Sequence, residues 1–358
     1  VEHPIRPRRA HPHESLSQLV VARAPTRLAS MATLRAATTL LRRGISPISP
    51  RGARGLAQKP SWQDAALVSA TQSIKGVGQV IFLDKPAQGN VVLAGLAYGD
   101  PALAVLAAVG GASATGTAKL LDVDRGSVDA GLCSYNGVLV GCAFAAFLPG
   151  AVAPLAATVA GAAATAPLSA VLKRACGATP QFTLAFNAVA LSALAYTKPF
   201  AVPPPPADAA IGFADVAATP LVGLSQIFVV DSPVTGAAIA VALAQADTSY
   251  ATHAINGSVV GSVVGLAMGA DPHEVVHGLW GFNSALTALS VAVFFEPSRA
   301  SYALAGAGAA STAVLFGGLK TALGAFAVPA LTLPFCAAAA TCYALPAALG
   351  ETGALRLK

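Results

Sequence analysis

Residues 79–89 read Gln-Val-Ile-Phe-Leu-Asp-Lys-Pro-Ala-Gln-Gly, and residues 226–236 read Gln-Ile-Phe-Val-Val-Asp-Ser-Pro-Val-Thr-Gly. The same offset of 147 carries Asp124 onto Asp271, Gly131-Leu132 onto Gly278-Leu279, and Tyr135-Asn136-Gly137 onto Phe282-Asn283-Ser284. A fourth block, Pro180-Gln-Phe-Thr183-Leu-Ala185-Phe186, returns as Pro329-Ala-Leu-Thr332-Leu-Pro334-Phe335 at an offset of 149, which requires two inserted residues. Separated blocks held in one register mark an internal duplication, so the chain must fold as two copies of one unit. The units run over 61–197 and 208–350. Between them, 198–207 holds Pro203, Pro204, Pro205 and Pro206, a run through which no helix continues. An arm, 1–60, precedes the units and a short tail, 351–358, follows them.

Charge decides what surrounds each unit. Only 11% of the residues are charged and 55% are hydrophobic, against about 25% charged in a soluble domain. Mean hydropathy is +0.65. An ordinary soluble globule is excluded. The apolar residues run in continuous Ala/Val/Leu/Gly blocks and do not alternate as barrel strands do, so the expected fold class is all-α, a polytopic integral membrane protein. At roughly 20 residues per crossing there is room for about ten transmembrane helices, five per unit, near 88–100, 101–121, 131–149, 150–172 and 181–197 in the first. An odd number per unit inverts the second copy in the bilayer and places the solute site where the repeats meet. The Gln79 segment, punctuated by Gly76, Gly78 and Pro86, is expected to be a re-entrant half-helix.

The net charge of +6 belongs to the arm: residues 1–60 hold 11 of the 22 Lys and Arg with only Glu2 and Glu14 to oppose them. From Met31 to Pro60 no acid occurs, and Arg35, Arg42, Arg43, Arg51 and Arg54 stand among Ala, Ser and Thr. That is the composition of a transit peptide addressing a mitochondrial or plastid inner membrane; a disordered basic tail on a plasma-membrane protein is the alternative. The arm has no aromatic residue to stack on bases, which argues against a nucleic-acid partner. Cys133, Cys142, Cys176, Cys336 and Cys342 form no C-x-x-C pair and read as small buried hydrophobes, with no zinc ribbon and no cofactor implied.

The repeated G-x-x-Q-[VI]-F-x-x-D-x-P-x-x-G, the L-x-x-[YF]-N-[GS]-x-L block and the P-x-x-T-x-P-F element of residues 329–335 resemble the urea transporter family. The resemblance spans about 66 to 346. It implies a ten-span inverted-repeat protein, a homotrimer in a lipid bilayer with one urea pore per protomer, conducting passively like a channel and doing no enzymatic chemistry. Position by position, it makes Gln79 and Gln226 pore-facing amides, and Thr183 and Thr332 hydroxyls at the pore centre. It makes Tyr135 with Leu139, and Phe282 with Leu286, the apolar pairs that flatten the pore into a slot. Tyr135 replaces the family's usual Phe and brings a hydroxyl to the slot. Ala185 replaces a proline, so the helix break after Thr183 is expected to be weaker than that after Thr332.

The chemistry leads the same way without the family. Urea is flat and neutral, with four N–H donors and one carbonyl, so its site needs acceptors in a plane. Gln oxygens, Thr hydroxyls and carbonyls at interrupted helix ends supply them. Apolar walls would exclude a hydrated ion, and no buried ion pair is expected in the slot. Taken singly, Gln79 or Gln226 would read as interhelical glue and Thr183 or Thr332 as back-bonded to its own helix; recurrence in both halves favours the pore. Asn136 and Asn283 are expected to brace helices, and Asp84 and Asp231 to cap the helices that follow them.

One motif points elsewhere. His273-Glu274-Val-Val-His277 fits the H-E-x-x-H zinc-protease pattern, and an intramembrane zinc metalloprotease is the alternative of another class. Its first-half counterpart carries no ligands, and the bland reading is a helix start with Asp271 as cap and Pro272 in the first turn. A channel for ammonia or other small neutral amides is the third reading.

Overall fold

The structure, a computed structural model, describes residues 62–197, 210–349 and 355–358; the arm and the Pro-rich linker expected above lie outside the described residues. The first unit comprises α1 (Trp62–Gln79), α2 (Pro86–Gly99), α3 (Pro101–Leu120), α4 (Arg125–Asp129), α5 (Tyr135–Phe147), α6 (Val152–Cys176) and α7 (Leu184–Thr197). The second comprises α8 (Phe213–Ser225), whose end tightens into a 3₁₀ turn at Gln226–Phe228, then α9 (Pro233–Ala246), α10 (Thr248–Ala267), α11 (Pro272–Val276), α12 (Phe282–Phe294), α13 (Arg299–Gly324) and α14 (Leu333–Leu349). The two lists match element for element. So do their start signals: prolines open α2 and α9, where a missing N–H costs nothing. Asp100 and Asp247 cap α3 and α10 through Leu103 N and Ser249 N.

The duplication also reaches the backbone. Left-handed residues occur in register at Phe82 and Val229 (φ 72° and 60°), Asp122 and Gly269 (49° and 83°), Gly131 and Gly278 (75° and 73°), and Phe182 and Leu331 (48° and 47°). Four of these eight are bulky Phe, Val or Leu, for which this conformation is costly. Each break was therefore retained through duplication as a unit of shape. Within each unit the third helix packs against the fifth and sixth; between units α2 meets α9 and α7 meets α14.

Among the described residues, three helices are long and apolar enough to cross a membrane: Pro101–Leu120, Val152–Cys176 and Arg299–Gly324, with mean hydropathies of 1.3, 1.7 and 1.4. Only 22% of the span window in α6 is buried in protein. An apolar helix with that much uncovered surface faces hydrocarbon. The helices α5 and α12, of 13 residues each, are buried along nearly their whole length and cover about 20 Å, short of the roughly 30 Å apolar layer. The apolar helices thus divide into long outer ones and short inner ones. The Gln79 segment differs too: Gln79 ends an 18-residue helix, and the break lies just after it. In the second unit the chain bends by 81° between Phe213–Phe228 and Pro233–Ala246. Gly76 does not break α1 but lets Ser134 approach; a Cβ there would stand 2.0 Å from the Ser134 Cβ.

The same economy joins α3 to α5 and α10 to α12. A Cβ on Gly110 would meet Gly137 O at 2.1 Å, and one on Gly257 would meet Ser284 O at 2.6 Å. Backbones this close exclude any side chain, as at small-residue crossings in membranes generally. Gly110→Ala is expected to destabilise by about 1–3 kcal/mol through overpacking against backbone. Gly116→Ala, on the same helix with nothing within 4 Å of its Cβ, should leave the unfolding midpoint in detergent unchanged or raised; thermal scans of the two variants make the comparison.

Candidate functional site

Among the described residues, each unit mainly lines one of two cavities that meet at the axis. The first, of about 800 Å³, takes Gln79, Tyr135, Phe182 and Thr183 from its own unit and Phe294, Phe335 and Tyr343 from the other. The second, of about 80 Å³, takes Gln226, Phe282, Leu331 and Thr332 from its own unit and Phe147 and Phe186 from the first. Phe147 and Phe294, and Phe186 and Phe335, are themselves repeat partners. Neither unit alone encloses its cavity: the second lends three rings to the first, and the first lends two to the second. One cavity reaches Thr183 and the other Thr332, and the two hydroxyls lie 2.7 Å apart. Repeat-related residues touch in this way only near the pseudo-two-fold axis.

The polar side chains of the cavities are held by the groups that the helix breaks leave open. Gln79 Nε2 donates to Ala130 O, and Gln226 Nε2 donates to His277 O at 2.8 Å. A carbonyl only accepts, so these bonds fix the amide orientation and leave each Gln Oε1 as the acceptor. Asn136 Oδ1 accepts from Phe186 N (3.0 Å) and Asn283 Oδ1 from Phe335 N (3.2 Å), satisfying open donors in the first turns of α7 and α14. The two asparagines brace the fold as expected. Tyr135 Oη donates to Phe182 O at 2.6 Å, so its hydroxyl anchors a left-handed turn and does not hang in the passage. Ala185 does not weaken its break. The helices α7 and α14 start at equivalent residues because the left-handed Phe182 and Leu331 end the chain's approach, with or without the proline.

Aromatic rings supply the walls. Phe182 packs edge-on against Phe335 with centroids 5.1 Å apart and against Phe294 at 6.0 Å, while Phe82 meets both at 6.2 and 6.0 Å. Leu139 and Leu286 are 1% exposed within the core, and neither is among the cavity-lining residues. The repeat offset of Phe147 and Phe294 was the available signal for the walls; lying outside the matched blocks, they carried no motif.

The tenfold difference in cavity size has a side-chain cause. Where the first cavity has Ser127, Cys133 and Ser169, the second unit has Glu274, Trp280 and Phe316. Trp280 and Phe316 pack edge-on at 5.2 Å, and Glu274, 5% exposed, pairs with Lys320 and accepts from Trp280 Nε1 at 3.1 Å. The expectation of no buried ion pair meets an exception at the second cavity: Glu274 is buried, and Lys320, with 30% of its side chain exposed, reaches it from α13, outside every repeated block. On the open side Asp124 caps α4, and its carboxyl is held below the usual carboxylate range chiefly by the Ser127 backbone N–H, then by the Ser127 hydroxyl. Asp231 does not cap α9, since Ser232 does; Asp231 pairs with His277.

The H-E-x-x-H residues thus face separate partners. Glu274 holds Lys320, His277 holds Asp231, and Asp271 caps the five-residue helix α11. Among the described residues no three His, Cys, Asp or Glu side chains gather in a way that could hold a metal ion. Nothing in this geometry supports proteolysis.

Residues 70–346 match the model of the family described as urea transporter. Urea transporter 1 of sheep (Ovis aries) is 31% identical over 289 residues, 74% of either chain, and Urea transporter 1 of the rat (Rattus norvegicus) is 32% identical over the same shares.

Two substitutions separate the ion pair from the zinc reading. Glu274→Ala leaves Lys320 and the Trp280 N–H without their acceptor, and is expected to lower the thermal midpoint more than the double variant Glu274→Met/Lys320→Met, because a half-broken buried pair costs more than none. His273→Ala is expected to change neither that midpoint nor solute flux.

Proposed function

The chain belongs to the urea transporter family, and from that premise we propose that it conducts urea passively through a passage joining the two cavities. It is an integral multi-pass membrane protein that transports urea, and it is not an enzyme. The observation that carries the route is the meeting of Thr183 and Thr332: two cavities, each lined by a Gln with a fixed amide and by a Thr, meet at one hydrogen bond between the two Thr. Urea entering the first cavity exchanges water for the Gln79 Oε1, slides flat between aromatic rings, and meets the Thr pair. It leaves past Phe282 and Gln226. The apolar rings give nothing to a hydrated ion, which would lose several kcal/mol of solvation. The second cavity, narrowed by Trp280, Phe316 and the Glu274–Lys320 pair, sets the size limit. The two units are inverted with respect to the bilayer, and three protomers associate, each with its own passage; the support for both is the family resemblance.

Stopped-flow efflux from proteoliposomes tests the passage, with water, ammonia, acetamide and glycerol run in parallel. Urea efflux is expected to exceed that of empty vesicles. It should fall about tenfold in Gln226→Ala and in Thr332→Val, the cost of one average hydrogen bond. Equal efflux from all three proteins would remove the Gln and Thr ladder from the mechanism.

A further inference from the structure

The Thr pair has a third partner that the repeat does not share. Asn187, on α7, stands where the second unit has Cys336, and both are buried at the pseudo-axis. Asn187 Nδ2 donates to Thr183 O and to Thr332 Oγ1, each at 2.9 Å, and Asn187 Oδ1 accepts from Thr332 N at 3.2 Å. The last bond fixes the amide, because a backbone N–H can only donate.

The hydroxyl protons then follow. Thr332 Oγ1 accepts from Asn187, so its own proton is free for Thr183 Oγ1 at 2.7 Å. The Thr183 proton in turn has Cys336 Sγ at 3.1 Å. Of the two orders these contacts allow, only the one from Asn187 through Thr332 and Thr183 to Cys336 gives both Thr protons an acceptor within this group. A hydroxyl has one proton and two lone pairs, so in this arrangement Thr332 keeps one lone pair over, and Thr183 shares its second with a longer contact from Asn187 Nδ2 at 3.4 Å. The centre of the passage is thereby an acceptor on both sides.

We propose that Asn187 is a specificity-determining positioning residue: by orienting the Thr332 and Thr183 hydroxyls it makes the midpoint accept hydrogen bonds without donating them, favouring solutes rich in N–H. This rests on the passage proposed above. Urea, with four N–H groups, gains from two facing acceptors; acetamide, of similar size and shape, has a methyl group in place of one NH₂ and gains less. Remove the Asn187 amide and the Thr332 proton can turn into the passage, where it repels an N–H and serves a carbonyl.

The test is the ratio of urea to acetamide permeability in proteoliposomes, a readout that general loss of folded protein does not move. Asn187→Ala is expected to lower that ratio about tenfold, the equivalent of one hydrogen bond, and Asn187→Leu, which fills the space without polar atoms, to do the same should the alanine variant not fold. In a Thr332→Val background Asn187→Ala should lower the ratio no further, since it acts through that hydroxyl. The exchange Asn187→Cys with Cys336→Asn, which moves the amide to the other side of the axis, should restore the ratio. An unchanged ratio in folded Asn187 variants of a protein that conducts urea, or an additive loss with Thr332→Val, would overturn the role of Asn187 alone. Absence of urea flux in the unsubstituted protein would instead overturn the passage, and this proposal with it.

Discussion

In hydrocarbon a backbone N–H or C=O has no water to turn to, and this protein breaks its helices at its centre. Every broken end must therefore be satisfied by the protein itself. The side chains that do so are the ones that line or brace the passage: Asn136 and Asn283 accept from the starts of α7 and α14, Gln79 and Gln226 tie down the turns before Gly131 and Gly278, and Tyr135 holds the turn at Phe182. Binding groups are placed as a by-product of that accounting. Once its N–H₂ is tied down, a Gln can only offer its oxygen; once a turn is held in the left-handed region, the Thr that follows it points at its twin. The site is rigid because its residues are also structural.

Duplication sets the symmetry, and small departures from it give the two sides different tasks. At equivalent positions Ser127, Cys133 and Ser169 line the first cavity, whereas Glu274 and Phe316 line the second, with Trp280 packed against Phe316. Lys173 and Lys320 are also equivalent, yet only Lys320 has a buried carboxylate to meet. At the axis, Asn187 stands opposite Cys336 and donates to Thr332, a contact that a strict two-fold would have to repeat on Thr183. In the proposed passage the wide side admits solute and the narrow side discriminates. Cavities of about 800 and 80 Å³ on one axis express that division in volume.

Much of this was legible in the residues. The repeated Gln, Asn and Thr positions were readable because recurrence in register separates a shared role from coincidence, and the structure brings Thr183 and Thr332 together and seats both Gln at cavities. The H-E-x-x-H motif misleads for the converse reason: it occurs in one half only, and its Glu is spoken for by a lysine 46 residues away. Leu139 and Leu286 share the helices of Tyr135 and Phe282 and follow the same spacing, but packing turns them into the core. The exchange of Phe147, Phe186, Phe294 and Phe335 between units could not be read, since nothing local tells a ring which cavity it will enter.

Composition and repetition by themselves determined a helical membrane protein built twice around one axis, because low charge excludes water as the main solvent and a duplicated unit must pack on its copy. They also determined which polar residue types would stand at the breaks. Only the tertiary structure decided which break faces which, how far each cavity is filled, and which way the central hydroxyls point. Those depend on contacts between residues far apart in the chain, Lys320 with Glu274 and Asn187 with Thr332 among them, and a distance in sequence does not encode a distance in space.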